Sequence, residues 1–256
     1  MIQTVTLTLQ GRAAHLLSRL EVGLPRIMTV WLLLAMSACS LRVGLGVAGK
    51  GATGLTTAFP YILVTIAPLV SMGFALKWFA QGEEMQGPKT RLARYGHWRD
   101  VSLEEARAHP LFGAGGLMVS LLIGMLLNVP VRMMEYLVAI PAIAVDVPTW
   151  LSTLHLMATL DVVLLCSLYS IAFVAALKRA PIFPRLLVSI WIVDIAMQLV
   201  IAKMVAAQGL PASVAEPLHT LLDGNGKKVL ISAAIWAPYL ILSRRVNVTY
   251  RRRVEI

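Results

Sequence analysis

Long apolar runs separated by short basic clusters set the pattern of the chain. A helix needs about 20 apolar residues to cross a hydrocarbon layer. On that measure the runs predict six spans, near residues 27–48, 57–80, 113–130, 151–177, 185–206 and 229–243. The last is short: at 1.5 Å per residue it covers roughly 22 Å. Lysines before it and arginines after it are placed to snorkel across the difference. The expected fold class is all-α: a polytopic six-helix transmembrane bundle.

The polar stretches between the runs suggest how the bundle is connected. In residues 1–26, Arg12, His15 and Arg19 fall at i, i+3 and i+7, with Ala13, Leu16, Leu17 and Leu20 opposite. This reads as a basic amphipathic helix on the membrane surface, or as a frayed tail. Gly44, Gly46, Gly49, Gly51 and Gly54 form a glycine-rich turn between the first two spans, with no phosphate-loop signature. Residues 81–112 are the only long polar segment. There, Ser102 to Glu105 fits a capping box that opens a short helix, and Pro110 stops it. Arg91, Arg94, Arg99 and Arg107 sit beside Tyr95 and Trp98. That mixture suits a partner or anionic lipid headgroups, or simply a solvated loop. Residues 131–150 read as a re-entrant or interfacial outer segment, or as a bent extension of the third span. Residues 207–228, with Asp223-Gly224-Asn225-Gly226, read as a polar connection. The domain division is therefore 1–26, 27–80, 81–112 and a four-span unit at 113–253.

Composition supports the membrane reading: 58% of the 256 residues are hydrophobic and 14% charged, against about 45–50% and about 25% in soluble domains. A net charge of +10 would otherwise point to nucleic acid. These charges, however, cluster between apolar runs, as in membrane proteins. With six spans and an inner C-terminus, seventeen Lys and Arg residues fall on the inner side and six on the outer. The positive-inside rule then places both termini in the cytoplasm.

Little catalytic chemistry is visible. Cys39 and Cys166 both lie in apolar runs, where a thiol behaves as a small hydrophobe. Met36-Ser37-Ala38-Cys39 resembles a lipoprotein cleavage box, although the apolar run continues past the cysteine as in a plain span or signal anchor. The five histidines are scattered, and no CxxC, HExxH or nucleophile elbow occurs. No catalytic residue, metal or cofactor is expected. Two aspartates, Asp161 and Asp194, lie at depth within spans. A charge at the bilayer centre costs about 2.5–3.5 kcal/mol on the insertion scale, so each must be protonated, paired or turned to a polar cavity. Asp194 shares a helix face with Trp191 and Gln198. We expect Asp161, Asp194, Gln198 and Asn128 to form an intramembrane polar site, with Tyr169 or Arg132 as further partners. That site is either a structural hydrogen-bonded contact or a proton- or ion-coupling one. Gly116, Ser120 and Gly124 recur every four residues before Asn128 and form a small-residue ridge for helix packing.

The final run carries a further signal. Ile235-Trp236-Ala237-Pro238-Tyr239, then Ser243-Arg244-Arg245-Val246 and Thr249-Tyr250, resembles the closing signature of the bacterial integral membrane family called domain of unknown function 2569. Gly113-Ala114-Gly115-Gly116-Leu117 is similar to that family's glycine-rich opening, with Leu117 where a Trp is usual. Phe183-Pro184 resembles its turn. The resemblance covers about residues 110–253. It implies an architecture and transfers no activity. The expectation is a non-enzymatic bacterial inner-membrane protein, an assembly or accessory subunit with a membrane-protein partner or as a homo-oligomer. The alternative is a small secondary transporter using Asp161 and Asp194, although neither an inverted repeat nor paired broken helices are visible.

Overall fold

The computed structural model describes residues 2–47, 55–88, 96–143 and 147–256, and the side chains among them other than those of 2–15, 46–47 and 55–56. Most of the glycine-rich turn, Arg91, Arg94, Tyr95 and Asp146 lie outside the described residues, as do the side chains of Arg12 and His15. In chain order the elements are α1 (Ile2–Val47), α2 (Leu55–Trp78), a 3-10 turn (Gly82–Glu84), β1 (Trp98–Asp100) and α3 (Leu103–Ala108). They continue with α4 (Leu117–Ala139), α5 (Thr149–Leu177), α6 (Phe183–Ala206), α7 (Ala212–Leu242), α8 (Arg244–Arg251) and β2 (Arg253–Glu255). Five of the helices are each long and apolar enough to cross a membrane, and α7 with α8 makes a sixth candidate, bent by 72°.

The bend raises the question of whether α7 crosses, and a small ladder answers it. β1, from the loop between α2 and α4, pairs antiparallel with β2, which follows α8; Trp98 faces Glu255 and Asp100 faces Arg253. The loop and the C-terminal tail therefore lie on one face of the bundle. An even number of crossings must separate them, and α4, α5 and α6 supply three, so α7 supplies the fourth. α8 turns away at Ser243 and lies beyond the crossing. The turn between α5 and α6 is on the same face, because Arg179 pairs with Glu83 at 2.7 Å and Lys178 with Glu21 at 3.5 Å.

α5 is the central helix: it packs against α2, α4 and α6, and α6 packs on α7. Its last six residues, Ala172 to Leu177, are buried all round, as a helix apolar on every face should be. α1 is peripheral and leaves Leu33, Leu34, Leu41 and Leu45 exposed, as lipid-facing leucines are.

Two expectations change, and one pair of alternatives is decided. Residues 1–26 are not a separate surface helix, because α1 runs unbroken from Ile2 to Val47 through Pro25. Of the two readings of residues 131–150, the extension of the third span holds for 131–139, because α4 continues through Pro130 to Ala139. Residues 212–228 are not a loop: they form the first half of α7, anchored by buried Leu218 and Leu222. Within α1, Arg42 Nη2 donates to the Ile140 carbonyl at the end of α4 at 2.9 Å. Cys39 is buried inside α1, where its Sγ accepts from Thr65 Oγ1 at 3.5 Å.

The short polar elements follow local rules. Ser102 Oγ accepts from the Glu105 amide at 3.1 Å and caps α3. The Glu105 carboxylate turns to Arg99 instead of closing the capping box. Burial would raise the Glu83 carboxyl, but Arg107 and Arg179 beside it hold it below the usual carboxylate range. Gly82 is buried under the α5–α6 turn, where a Cβ would lie 2.6 Å from the Lys178 carbonyl oxygen. Gly82→Ala is therefore expected to destabilise the fold by about 1–3 kcal/mol, since backbone must move. Thermal melting in detergent checks this, and a wild-type melting curve would show that the turn yields freely.

Candidate functional site

The buried polar cluster is centred on Arg132, which α4 carries inward because the helix does not end at Pro130. Asp161 lies twelve residues into α5, roughly 18 Å from its start. Asp194 lies eleven residues into α6, roughly 16 Å from its start. All three meet. Arg132 Nη2 donates to both oxygens of Asp194, at 2.8 and 2.6 Å, and Nη1 donates to Asp161 Oδ2 at 2.8 Å. Gln198 Nε2 donates to Asp161 Oδ1 at 3.2 Å, and Tyr169 Oη donates to Asp194 Oδ2 at 3.3 Å. Asp194 is 0% exposed, and the Arg132 side chain only 12%.

Desolvating such charges costs several kcal/mol per ion, which the attraction repays only when the geometry is good and the other lone pairs are also satisfied. Here the planar guanidinium reaches both carboxylates at once, a task suited to arginine and not to lysine. The two acids are not equivalent: Asp194 takes two bonds from Arg132 and one from Tyr169, while Asp161 takes one from Arg132 and one from Gln198.

Beside the cluster lies a cavity of about 50 Å³, lined by Arg132, Glu135, Tyr136, Asp161, Gln198 and Asn225 among others. That is room for a few water molecules. Asn225 Nδ2 donates to Gln198 Oε1 at 3.4 Å, and Lys228 pairs with Glu135 across the cavity's rim. One layer away, Tyr136 Oη and Thr159 Oγ1 share a hydrogen bond of 2.8 Å, and the rings of Tyr61, Tyr136 and His155 gather within 6.3 Å of one another. Among the described residues, Tyr61 Oη and His155 Nε2 are buried without a hydrogen-bond partner. No group of three or more His, Cys, Asp or Glu side chains able to hold a metal ion occurs among the described residues.

A second constellation joins the two ends of the four-span unit. Arg245 Nη1 donates to the Leu111 and Gly113 carbonyls at 3.2 and 3.4 Å, and its guanidinium lies against Gly115 and Gly116. Gly116 has φ +63° at the start of α4, a conformation that favours glycine. Thr249 Oγ1 accepts from the Gly113 amide at 3.0 Å, and Tyr250 Oη donates to the Ala176 carbonyl at 2.8 Å. Ser243 caps α8 by accepting from the Val246 amide. Arg245 and Thr249 thus hold the opening glycine turn, and Tyr250 holds the end of α5.

The family described as "Protein of unknown function (DUF2569)" matches residues 112–251, more than half of the chain. The chain belongs to this family. No curated protein and no solved structure matches it. The DUF2569 region begins at the glycine turn, ends with α8, and contains both the Arg132 cluster and the Arg245 latch. Helices α1 and α2 and strand β2 lie outside it.

Within the DUF2569 region the expected polar residues come together around Arg132, and Asn128 reaches Tyr169 by hydrogen bond. Of the expected packing ridge, Ser120 and Gly124 face away from the rest of the chain, while Gly116 lies against Arg245. Gly116 is the cap of α4, Ser120 is exposed and donates to its own Leu117 carbonyl, and a Cβ on Gly124 would meet nothing within 4 Å. Trp236 and Tyr239 stack edge to face on α7 at 5.8 Å, with Pro238 inside the helix, and Arg244 pairs with Glu255 at 2.6 Å. Asn225, Glu135 and Lys228 were not expected at the site. Asn225 sits in an Asp-Gly-Asn-Gly run that reads as a turn, so no local pattern could have placed it on a membrane helix.

Proposed function

We propose that this is a non-enzymatic multi-pass protein of the bacterial cytoplasmic membrane, with both termini inside, that works by assembling with another membrane component. The Arg132–Asp161–Asp194 cluster then locks α4, α5 and α6 in one arrangement. The observation that carries this reading is that the bonds of the cluster are used internally while the adjoining space is only about 50 Å³. Small-molecule sites are typically about 300–1,000 Å³. The outward ridge of Ser120 and Gly124 and the basic face shared by loop and tail support an assembling role. The charge asymmetry of the sequence supports the orientation.

A second reading, proton or ion coupling, is favoured by one observation. Two carboxylates share one guanidinium, so the fully ionised cluster carries a surplus negative charge in the bundle, which a proton or a small cation would balance. The two readings separate in one comparison. Purification in mild detergent is expected to yield a stoichiometric membrane partner, and the pure protein in liposomes is expected to pass neither protons nor solute under an imposed gradient. A gradient-driven flux that Asp161→Asn abolishes would sink the assembly reading.

A further inference from the structure

A larger cavity lies elsewhere, at the face shared by the loop and the C-terminal tail. It measures about 680 Å³ and opens between the ends of α6 and α7, under α8 and β2. Four arginines line it, Arg185, Arg251, Arg252 and Arg253, and Asp100 is the one acid among its described lining residues. Two of the arginines tie the C-terminal tail to the loop between α2 and α4. Arg252 Nη2 donates to the Glu83 and Met85 carbonyls at 2.7 and 2.8 Å, and Arg253 faces Asp100 at 3.5 Å. Arg251 gives one N–H to the neutral Asn247 Oδ1 at 3.1 Å. Burial, then Arg253 and Arg185 close by, push the Arg251 guanidinium down to about 10. Four guanidinium groups and one carboxylate are thus gathered around the cavity.

The other wall is apolar. Val188 on α6 and Ile241 on α7 line the cavity and are each 40% exposed, towards the side where bilayer chains run. A soluble anion would leave that wall unused. We propose that this cavity is a binding site for the phosphate of an anionic phospholipid, with Arg185 and Arg251 gripping the phosphate and the chains lying along Val188 and Ile241. Guanidinium forks match phosphate oxygens in pairs, and basic pockets between membrane helices on the cytoplasmic side are suited to such headgroups. The volume falls within the usual range for a ligand site. The proposal rests on α6 and α7 being membrane helices and is independent of the assembly role.

The test is lipid titration of the full chain, delipidated in detergent and followed by native mass spectrometry and by thermal melting. The probes are phosphatidylglycerol, phosphatidylcholine and inorganic phosphate. Phosphatidylglycerol is expected to bind and raise the melting temperature, and phosphatidylcholine is expected to do neither. In Arg185→Gln/Arg251→Gln the affinity for phosphatidylglycerol is expected to fall about thirtyfold. Arg99→Gln/Arg244→Gln removes the same charge from exposed positions and is expected to change nothing. Arg251→Lys keeps the charge without the fork, tests the site should the double variant fail to fold, and is expected to show a partial loss. Equal losses in both double variants would reduce the effect to general surface charge and overturn the site. Full binding by Arg251→Lys and by the Arg185/Arg251 variant would do the same. Inorganic phosphate binding as tightly as the lipid would make this a soluble-anion site and overturn the lipid assignment.

Discussion

Arg132→Met is expected to destabilise the protein by about 3–5 kcal/mol, the range for breaking a buried ion pair from one side. The cost arises from what remains. Asp161 and Asp194 would face each other inside the bundle with no counter-charge, held only by Gln198 and Tyr169. Arg132→Lys is expected to recover only part of this, because an ammonium cannot span both carboxylates in one plane. The triple variant Arg132→Met/Asp161→Asn/Asp194→Asn is expected to regain most of the loss, since no buried charge is left unpaired. The single acid variants should rank: Asp194→Asn costs more than Asp161→Asn, because Asp194 takes both bonds from Arg132 Nη2 and is completely buried. Melting in detergent provides the ranking. If Arg132→Met melted like the wild type, the cluster would have no part in holding α4 to α5 and α6.

The second large effect is expected at Arg245. Arg245→Met removes a charged donor from the Leu111 and Gly113 carbonyls and the packing of its guanidinium on Gly115 and Gly116. Hydrogen bonds to charged groups contribute about 1.5–3 kcal/mol, and a loss of that order is expected. It should also be local. Hydrogen exchange is expected to accelerate in residues 111–116 and at the start of α4 while α5 stays protected. Uniform loss of protection throughout the bundle would contradict a latch confined to these segments.

The residues that were hard to place share a cause. Ending the third span at Pro130 follows from treating proline and a nearby arginine as helix terminators in a membrane. The helix passes both, because Arg132 finds Asp161 and Asp194, partners 29 and 62 positions away in sequence. Local propensity cannot register a partner that distant. Similarly, Gly224 and Gly226 predict a turn, yet α7 runs through them, with Leu222 buried below and Asn225 and Lys228 bonded to Gln198 and Glu135. The strands β1 and β2 are three residues each, too short for any alternation to be read. In contrast, α2, α5 and α6 begin and end within two residues of the apolar runs that predict them.

Beyond the family resemblance, what the sequence determined by itself was the membrane class and the need for Asp161 and Asp194 to be satisfied at depth. Each follows from one rule: a bilayer admits a helix only if about 20 residues can go without water, and penalises any charge among them. The tertiary structure alone decided which cation satisfies those acids, that the closing motif clasps the opening glycines, and that Arg185 on α6 joins Arg251, Arg252 and Arg253 around a cavity. All three depend on residues far apart in the chain reaching the same few ångströms, and that distance is set by helix packing and not by spacing along the sequence.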